Sequence, residues 1–216
     1  SSTNTLTTTG ASATLEFAAG VFNLDAGTNV SGPGTILLNS SGTLNVNSAL
    51  VIPGTTTFTF ANGTLAGTGA LTVNGTFNWS AGLMTGAAST TLNGPFNLSG
   101  LPGINNSRVL NTTNVTTWTA GSGQGLWTGT GSIIKNGGTW NATVDGGAIV
   151  NRYGGATNFN NSGTFKKSAG SGTTSVSIPF FNTGTVDAQS GTLNMSSSSY
   201  TQTAGTTKLT GGAFSS

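Results

Sequence analysis

Residues 159–209 read FNNSGTFKKSAGSGTTSVSIPFFNTGTVDAQSGTLNMSSSSYTQTAGTTKL, and a Gly-Thr step recurs in them at Gly163-Thr164, Gly184-Thr185 and Gly205-Thr206, 21 residues apart each time. A further copy, Gly191-Thr192, follows the middle one by seven. Sevens inside twenty-ones describe a coil of three short segments, and fixed periods of roughly 20–50 residues mark solenoids and related arrays. Between the steps the residues alternate, as in Val176-Ser177-Ile178 and Leu193-Asn194-Met195. Alternation with period two places the apolar members on one face of an extended strand. The stretch is a strand repeat.

The same grammar extends toward the N-terminus. Gly42-Thr43-Leu44 returns as Gly63-Thr64-Leu65, again 21 apart. Leu15-Glu16-Phe17, Phe22-Asn23-Leu24, Phe58-Thr59-Phe60, Phe77-Asn78-Trp79 and Phe96-Asn97-Leu98 alternate likewise, separated by turn signals such as Gly32-Pro33-Gly34. No window holds a helical apolar period, and glycines this frequent would cost about 1 kcal/mol each inside a helix. Asn62-Gly63, Asn74-Gly75 and Asn136-Gly137 could close hairpins of an antiparallel sandwich or barrel. Recurrence of one phrase in one phase at whole-coil spacing favours stacking instead. The expected fold is therefore all-β: a parallel β-helix of about ten coils, roughly 21 residues and three short strands per coil. It forms one domain, 1–216, with a leading segment (1–14), regular coils (15–100), irregular coils with loop insertions (101–158) and regular coils to the end (159–216). Gly42 to Gly163 spans 121 residues, which is five such coils plus 16. Leu101-Pro102-Gly103 and the polar run 105–117 are the expected site of insertion, since Pro102 cannot donate to a central ladder.

Composition removes several function classes. Charged residues are only 5% of the chain, and the formal net charge is +2. That is too little to build the electrostatic footprint of a nucleic-acid binder, and the one basic pair, Lys166-Lys167, is expected on a solvated face. Cysteine is absent, so neither a disulfide framework nor a thiol nucleophile is available. No run approaches the roughly 20 apolar residues needed to cross a bilayer, so no membrane insertion is expected. The chain opens SSTNTLTTTG without a charged n-region or h-region, so any signal peptide is removed or lies outside this segment.

Catalysis finds few candidates. Glycoside hydrolysis uses two carboxylates across the scissile bond, and the chain holds four in all, Glu16, Asp25, Asp145 and Asp187, none within two residues of another. Calcium sites need clustered acidic oxygens, and without histidine the commonest general base is missing. Each acid is expected instead at a turn or on a solvated face, and neither an enzyme, a metal nor a cofactor is expected. Thr-x-Thr pairs, such as Thr55/Thr57 and Thr117/Thr119, lack the once-per-coil spacing of a flat ice-ordering face. The aromatics suggest a contact surface. Trp79 is in phase with Phe77, and Trp140 with Ala142 and Val144, which assigns both to the core. Trp118 and Trp127 are out of phase with Val115 and Leu126 and are expected outward, with Arg152 and Tyr153 as companions for a glycan or protein partner.

The phrases SGTLNVNS, NGTFNWSAG and NNSGTFKKSAGSGTTSVSIPFFNTGTVDAQSGTL resemble the β-helical repeats of large bacterial secreted and surface proteins, the autotransporter passengers and filamentous-haemagglutinin-type adhesins. The resemblance implies an extracellular or cell-surface rod, structural or adhesive, often one segment of a longer chain. It would end in flanking repeats or stack end to end on its own copies, and a cell-surface glycan is the alternative partner.

Overall fold

The computed structural model describes residues 4–196 and 199–216. Among these the chain forms thirty short strands and no helix, and every strand pairing is parallel. Each coil contributes one strand to each of three faces. The first face starts with Thr5–Thr7 and Asn29–Ser31 and continues as an eight-stranded sheet from Leu50–Ile52 to Tyr200–Gln202. The second face is a ten-stranded sheet from Thr14–Phe17 to Thr206–Leu209, and the third a ten-stranded sheet from Val21–Leu24 to Ala213–Ser215. In each sheet neighbours are three strands apart in sequence, which is the topology of a β-solenoid of ten coils. The Asn-Gly steps therefore turn corners between faces and close no hairpins.

Register shows how the period breathes. On the second face Thr14 pairs with Thr35 and Thr35 with Thr57, steps of 21 and 22. Phe58, Phe77 and Phe96 stack at steps of 19, Thr139 and Thr164 at 25, then Thr164, Thr185 and Thr206 at 21. The long coils gain their residues at corners, in the segments 119–124, 143–147, 152–157 and 168–172. The polar run 105–117 is not the insertion: Val109–Thr112 and Val115–Trp118 are ordinary strands of the first and second faces.

The Gly-Thr step has a steric cause. At the corner between the first and second faces, Gly163, Gly184 and Gly205 lie one above another, and a Cβ on Gly184 or Gly205 would collide with the carbonyl oxygen of the glycine one coil earlier. The threonine that follows starts the next strand and points outward, giving a row through Thr14, Thr35, Thr57 and Thr76, interrupted by Pro95 and Val115, and resumed by Thr139, Thr164, Thr185 and Thr206. A second outward row, two residues on, carries Glu16, Leu37, Thr59, Asn78, Asn97, Thr117, Asn141, Lys166, Asp187 and Lys208.

Inside, equivalent residues stack about 4.8 Å apart. Phe60 lies parallel to Trp79 with ring centroids 5.7 Å apart, and Phe159 parallel to Phe180 at 4.9 Å. Trp140 meets Phe159 edge to face at 5.1 Å. Such ring pairs add about 0.5–1.5 kcal/mol beyond their burial, so the aromatics bind successive coils into one core.

Three expectations fail here, for related reasons. Trp118 is 1% exposed and packs edge to face on Trp140 at 6.4 Å. Val115 is the exception that sets the phase, since it occupies the outward threonine position and is 45% exposed, while Thr116 and Trp118 point in. Lys167 does not lie on a solvated face: the strand Thr164–Lys167 turns Lys166 outward and buries Lys167 completely. Asp187, expected at a turn or on a solvated face, is 2% exposed beneath Gln189, Thr210 and Lys208.

The interior also contains an unexpected polar column. On the first face Ile52, Val73 and Leu92 are followed in register by Thr112, Asn136, Asn161, Asn182 and Gln202. Asn136 Nδ2 donates to Asn161 Oδ1 at 2.7 Å, Asn161 Nδ2 to Asn182 Oδ1 at 2.8 Å, and Asn182 Nδ2 to Gln202 Oε1 at 3.2 Å. Identical amides stacked at the coil rise satisfy one another, as in the ladders of cross-β stacks. Arg108 is buried in the fifth-to-sixth coil corner, where Nε and Nη2 donate to Thr90 Oγ1 at 3.1 and 2.7 Å. Burial pushes its pKa down to about 10.

Candidate functional site

The remaining aromatic candidates do come together. Trp127 lies on the third-face strand Gly125–Thr128, between buried Leu126 and Thr128, so alternation turns its indole outward. The next coil pairs Thr128 with Asn151, and the N–H groups of Arg152 and Tyr153 both donate to the Thr128 carbonyl, at 2.9 and 3.1 Å. That turn brings the Arg152 guanidinium to 5.5 Å from the Trp127 ring centroid and the Tyr153 ring to 6.4 Å, edge to face. The loop closes through Gly154 and Gly155, whose φ values of 73° and 70° suit glycine, and through Asn151 Nδ2 donating to the Gly155 carbonyl at 2.8 Å.

Tyr153 reaches back over two earlier coils. Its phenol end lies where a Cβ on Gly103 would be, and its own Cβ stands close over Gly129. The two glycines thus form the bed of the ring. Desolvation raises the Tyr153 pKa, with Arg152 opposing. The patch joins one guanidinium to two amphipathic rings on adjacent coils. The ion pairs among the described residues are Lys167–Asp145 and Lys208–Asp187, and neither involves Arg152. Its charge is open to an anionic group from outside, while the Trp127 face beneath it is already covered.

A second surface was not anticipated. On the first face Lys135, Asn160 and Phe181 stack in register on consecutive coils. With Asn161, Ser162 and Thr183 they line a shallow depression of about 300 Å³, and Phe181 is 42% exposed. The only sequence signal for it was Phe180-Phe181, a pair that alternation must split into one inward and one outward ring.

The carboxylates are dispersed along the rod, each with its own partners. Asn39 Nδ2 donates to Glu16 at 3.2 Å and Asn47 Nδ2 to Asp25 at 2.8 Å. Asp145 accepts from the buried Lys167 ammonium at 2.6 Å, and that bond, followed by the Gly172 N–H, holds its carboxyl below the ordinary 3.8. Asp187 is also held low: burial opposes ionisation, but bonds from Thr210, Gln189 and Lys208 outweigh it. No group of three or more acidic, histidine or cysteine residues forms among the described residues.

Against known proteins the chain matches no family model, no curated protein and no solved structure. What the structure carries of the resemblance is the β-solenoid repeat architecture itself.

Proposed function

We propose that this chain is an extracellular or cell-surface structural element, a β-solenoid rod that takes part in adhesion and is extended at its ends by further coils, from the same polypeptide or from another copy. The observation that carries this is the continuity of the core. One hydrophobic cluster reaches from Phe17 and Leu24 in the first coil to Leu193 and Met195, with Tyr200 and Phe214 of the last coil packed against it, and both ten-stranded sheets end in strands that have a neighbour on one side only. Thr14–Phe17 and Val21–Leu24 stand at one end, Thr206–Leu209 and Ala213–Ser215 at the other. A strand edge left so is a template for pairing, and solenoids are built by such nearest-neighbour addition. The charge-poor threonine and asparagine faces support a spacer role over a steered encounter with a charged ligand. Labelling intact, unpermeabilised cells of the source organism with antibody to the folded rod tests the location. Surface labelling lost on external protease treatment is expected; signal only after permeabilisation would overturn it.

The Trp127, Arg152 and Tyr153 patch favours glycan adhesion as a second reading, with an anionic saccharide as the ligand the free guanidinium suits. Glycan-array binding by the wild type that is lost in Arg152→Ala supports it, and equal binding by both overturns it.

A further inference from the structure

We propose that the first face carries a binding site for an acidic oligosaccharide lying along the rod. Phe181 stacks on one sugar, Asn160 bonds the hydroxyls of the next, and Lys135 pairs with the carboxylate of a third. The site is separate from the Trp127 patch, which belongs to the third face. Lys135, Asn160 and Phe181 follow one another in register on consecutive coils, in an outward column otherwise made of shorter side chains such as Thr72, Thr91, Asn111 and Thr201. The core needs none of the three. Phe180 already supplies the inward ring, and alternation leaves Phe181 outward and 42% exposed. Among the described residues no ring packs on Phe181, and neither the Lys135 ammonium nor the Asn160 side-chain amide has a hydrogen-bond or ion-pair partner. Ser162 and Thr183, which line the same depression, donate their hydroxyl hydrogens to the carbonyls of Asn136 and Asn161, both at 3.3 Å. They therefore face a ligand as acceptors.

Room beside Lys135 is left by a glycine that the corner does not require. A Cβ on Gly138 would collide with the Asn114 carbonyl oxygen, whereas one on Gly137 meets nothing closer than 3.6 Å. The equivalent positions one coil before and after Gly137 carry Thr113 and Ser162. A side chain at 137 would stand against the Ser162 hydroxyl and narrow the depression of about 300 Å³. That volume is at the small end for ligand sites, which join an apolar or aromatic surface to a few placed polar groups. The occupant follows from these groups. An exposed ring takes the apolar face of a sugar, the Asn160 amide both donates to and accepts from hydroxyls, and the one cation calls for a carboxylate. The coil rise sets the three positions about 4.8 Å apart along the rod, close to the advance of one sugar in an extended β-1,4-linked chain. An extended peptide suits the face less well. Its backbone would find no partners, because the strands on either side already take the N–H and C=O groups of this sheet.

The test is titration calorimetry on the 216-residue chain with three probes: β-1,4-linked tetramannuronate, its neutral counterpart mannotetraose, and a tetraglutamate peptide. Tetramannuronate is expected to bind, and less tightly as salt rises. Mannotetraose should bind about tenfold or more weakly, since it forgoes the charge-assisted bond to Lys135, and the peptide should not bind. Lys135→Gln should bring tetramannuronate down to the affinity of the neutral probe and remove the salt dependence. Phe181→Thr should weaken both saccharides about tenfold or more, and Gly137→Thr should block both by filling the space beside Ser162. Val51→Ser changes an exposed residue of the same column four coils before Lys135 and should bind like wild type. Circular dichroism melts accompany each variant. Should Phe181→Thr melt early, Lys135→Gln and Gly137→Thr decide the matter, because neither change touches the core. Wild type that binds no saccharide, mannotetraose or peptide that binds as tightly as tetramannuronate, or Lys135→Gln and Gly137→Thr proteins that bind it like wild type would each overturn the site. Binding that every one of these variants keeps would place the saccharide elsewhere on the rod and leave the Trp127 patch as its candidate.

Discussion

Asn161→Ala is the sharpest probe of the buried amide column. Asn161 is 1% exposed. Its Oδ1 accepts from Asn136 at 2.7 Å, and its Nδ2 donates to Asn182 Oδ1 at 2.8 Å and to the carbonyls of Thr185 and Gly163 at 3.0 and 3.3 Å. Truncation leaves the neighbours partly served: Asn136 keeps the Thr164 carbonyl at 3.0 Å, and Asn182 Oδ1 keeps the Gly184 N–H at 3.2 Å. Two short amide bonds are lost and the Thr185 carbonyl gives up a donor. At about 1 kcal/mol per bond, plus the penalty for a buried group left short of partners, the loss is about 2–4 kcal/mol. For a chain of this length that corresponds to a fall in Tm of roughly 4–16 °C. Asn160→Ala is the control, since Asn160 is the next residue along and points outward; it should stay within about 0.5 kcal/mol of wild type. Asn161→Ala/Asn182→Ala should cost less than the sum of the single changes, because the two share one bond. Melts followed by circular dichroism decide it. An Asn161→Ala protein that melts with Asn160→Ala would refute the column as a source of stability.

Other outcomes follow from the corners and the buried charges. Gly184→Ala should lower Tm far more than Gly10→Ala, because a Cβ on Gly184 meets the backbone of the coil before it while one on Gly10 meets nothing within 4 Å; equal melts would remove the steric reason for the Gly-Thr step. Asp145 has a depressed carboxyl, so its contribution is complete above its ordinary value of 3.8 and is lost as pH falls below it. Asp145→Asn should therefore show a shallower fall of Tm on acidification than wild type, and identical acid limbs would contradict the Lys167 pairing. Arg108 is a buried cation with no carboxylate among its hydrogen-bond partners. Replacing it with Met, together with Thr90→Val, should leave Tm unchanged or raise it, whereas a large drop would show the guanidinium to be a net stabiliser.

The strand repeat was legible because stacking writes the same physics into every coil. A corner that passes beneath a carbonyl demands glycine, and the strand after it demands alternation, so Gly163-Thr164, Gly184-Thr185 and Gly205-Thr206 repeat with the coil. The exceptions were illegible for the same reason. Val115 stands where other coils place threonine, and an apolar residue in an outward position reversed the apparent phase of Trp118. Lys167 and Asp187 read as surface charges because their partners, Asp145, Lys208 and Thr210, lie in other coils. The amide column did leave a trace: Asn136, Asn161 and Asn182 each stand two residues before the glycine of a Gly-Thr step. Of the surface patch, Trp127 followed from alternation against Leu126, while Tyr153 depended on the long turn after Asn151, which no period describes.

Pairs of cysteines placed on consecutive coils test the parallel stacking most directly, because the chain has no cysteine of its own. The register sets Thr72 beside Thr91 on the first face, Asn78 beside Asn97 on the second and Asn23 beside Asn45 on the third. Adjacent parallel strands hold such residues about 4.8 Å apart, within the Cα span a disulfide accepts. Under mild oxidation all three double-cysteine proteins should form the intramolecular bond, seen by mass and by gel mobility without reductant. The one-residue slip Asn78/Leu98, which sets one thiol outside and one in the core, should not. Oxidation of the slipped pair in a folded chain, with the three registered pairs left reduced, would contradict the solenoid.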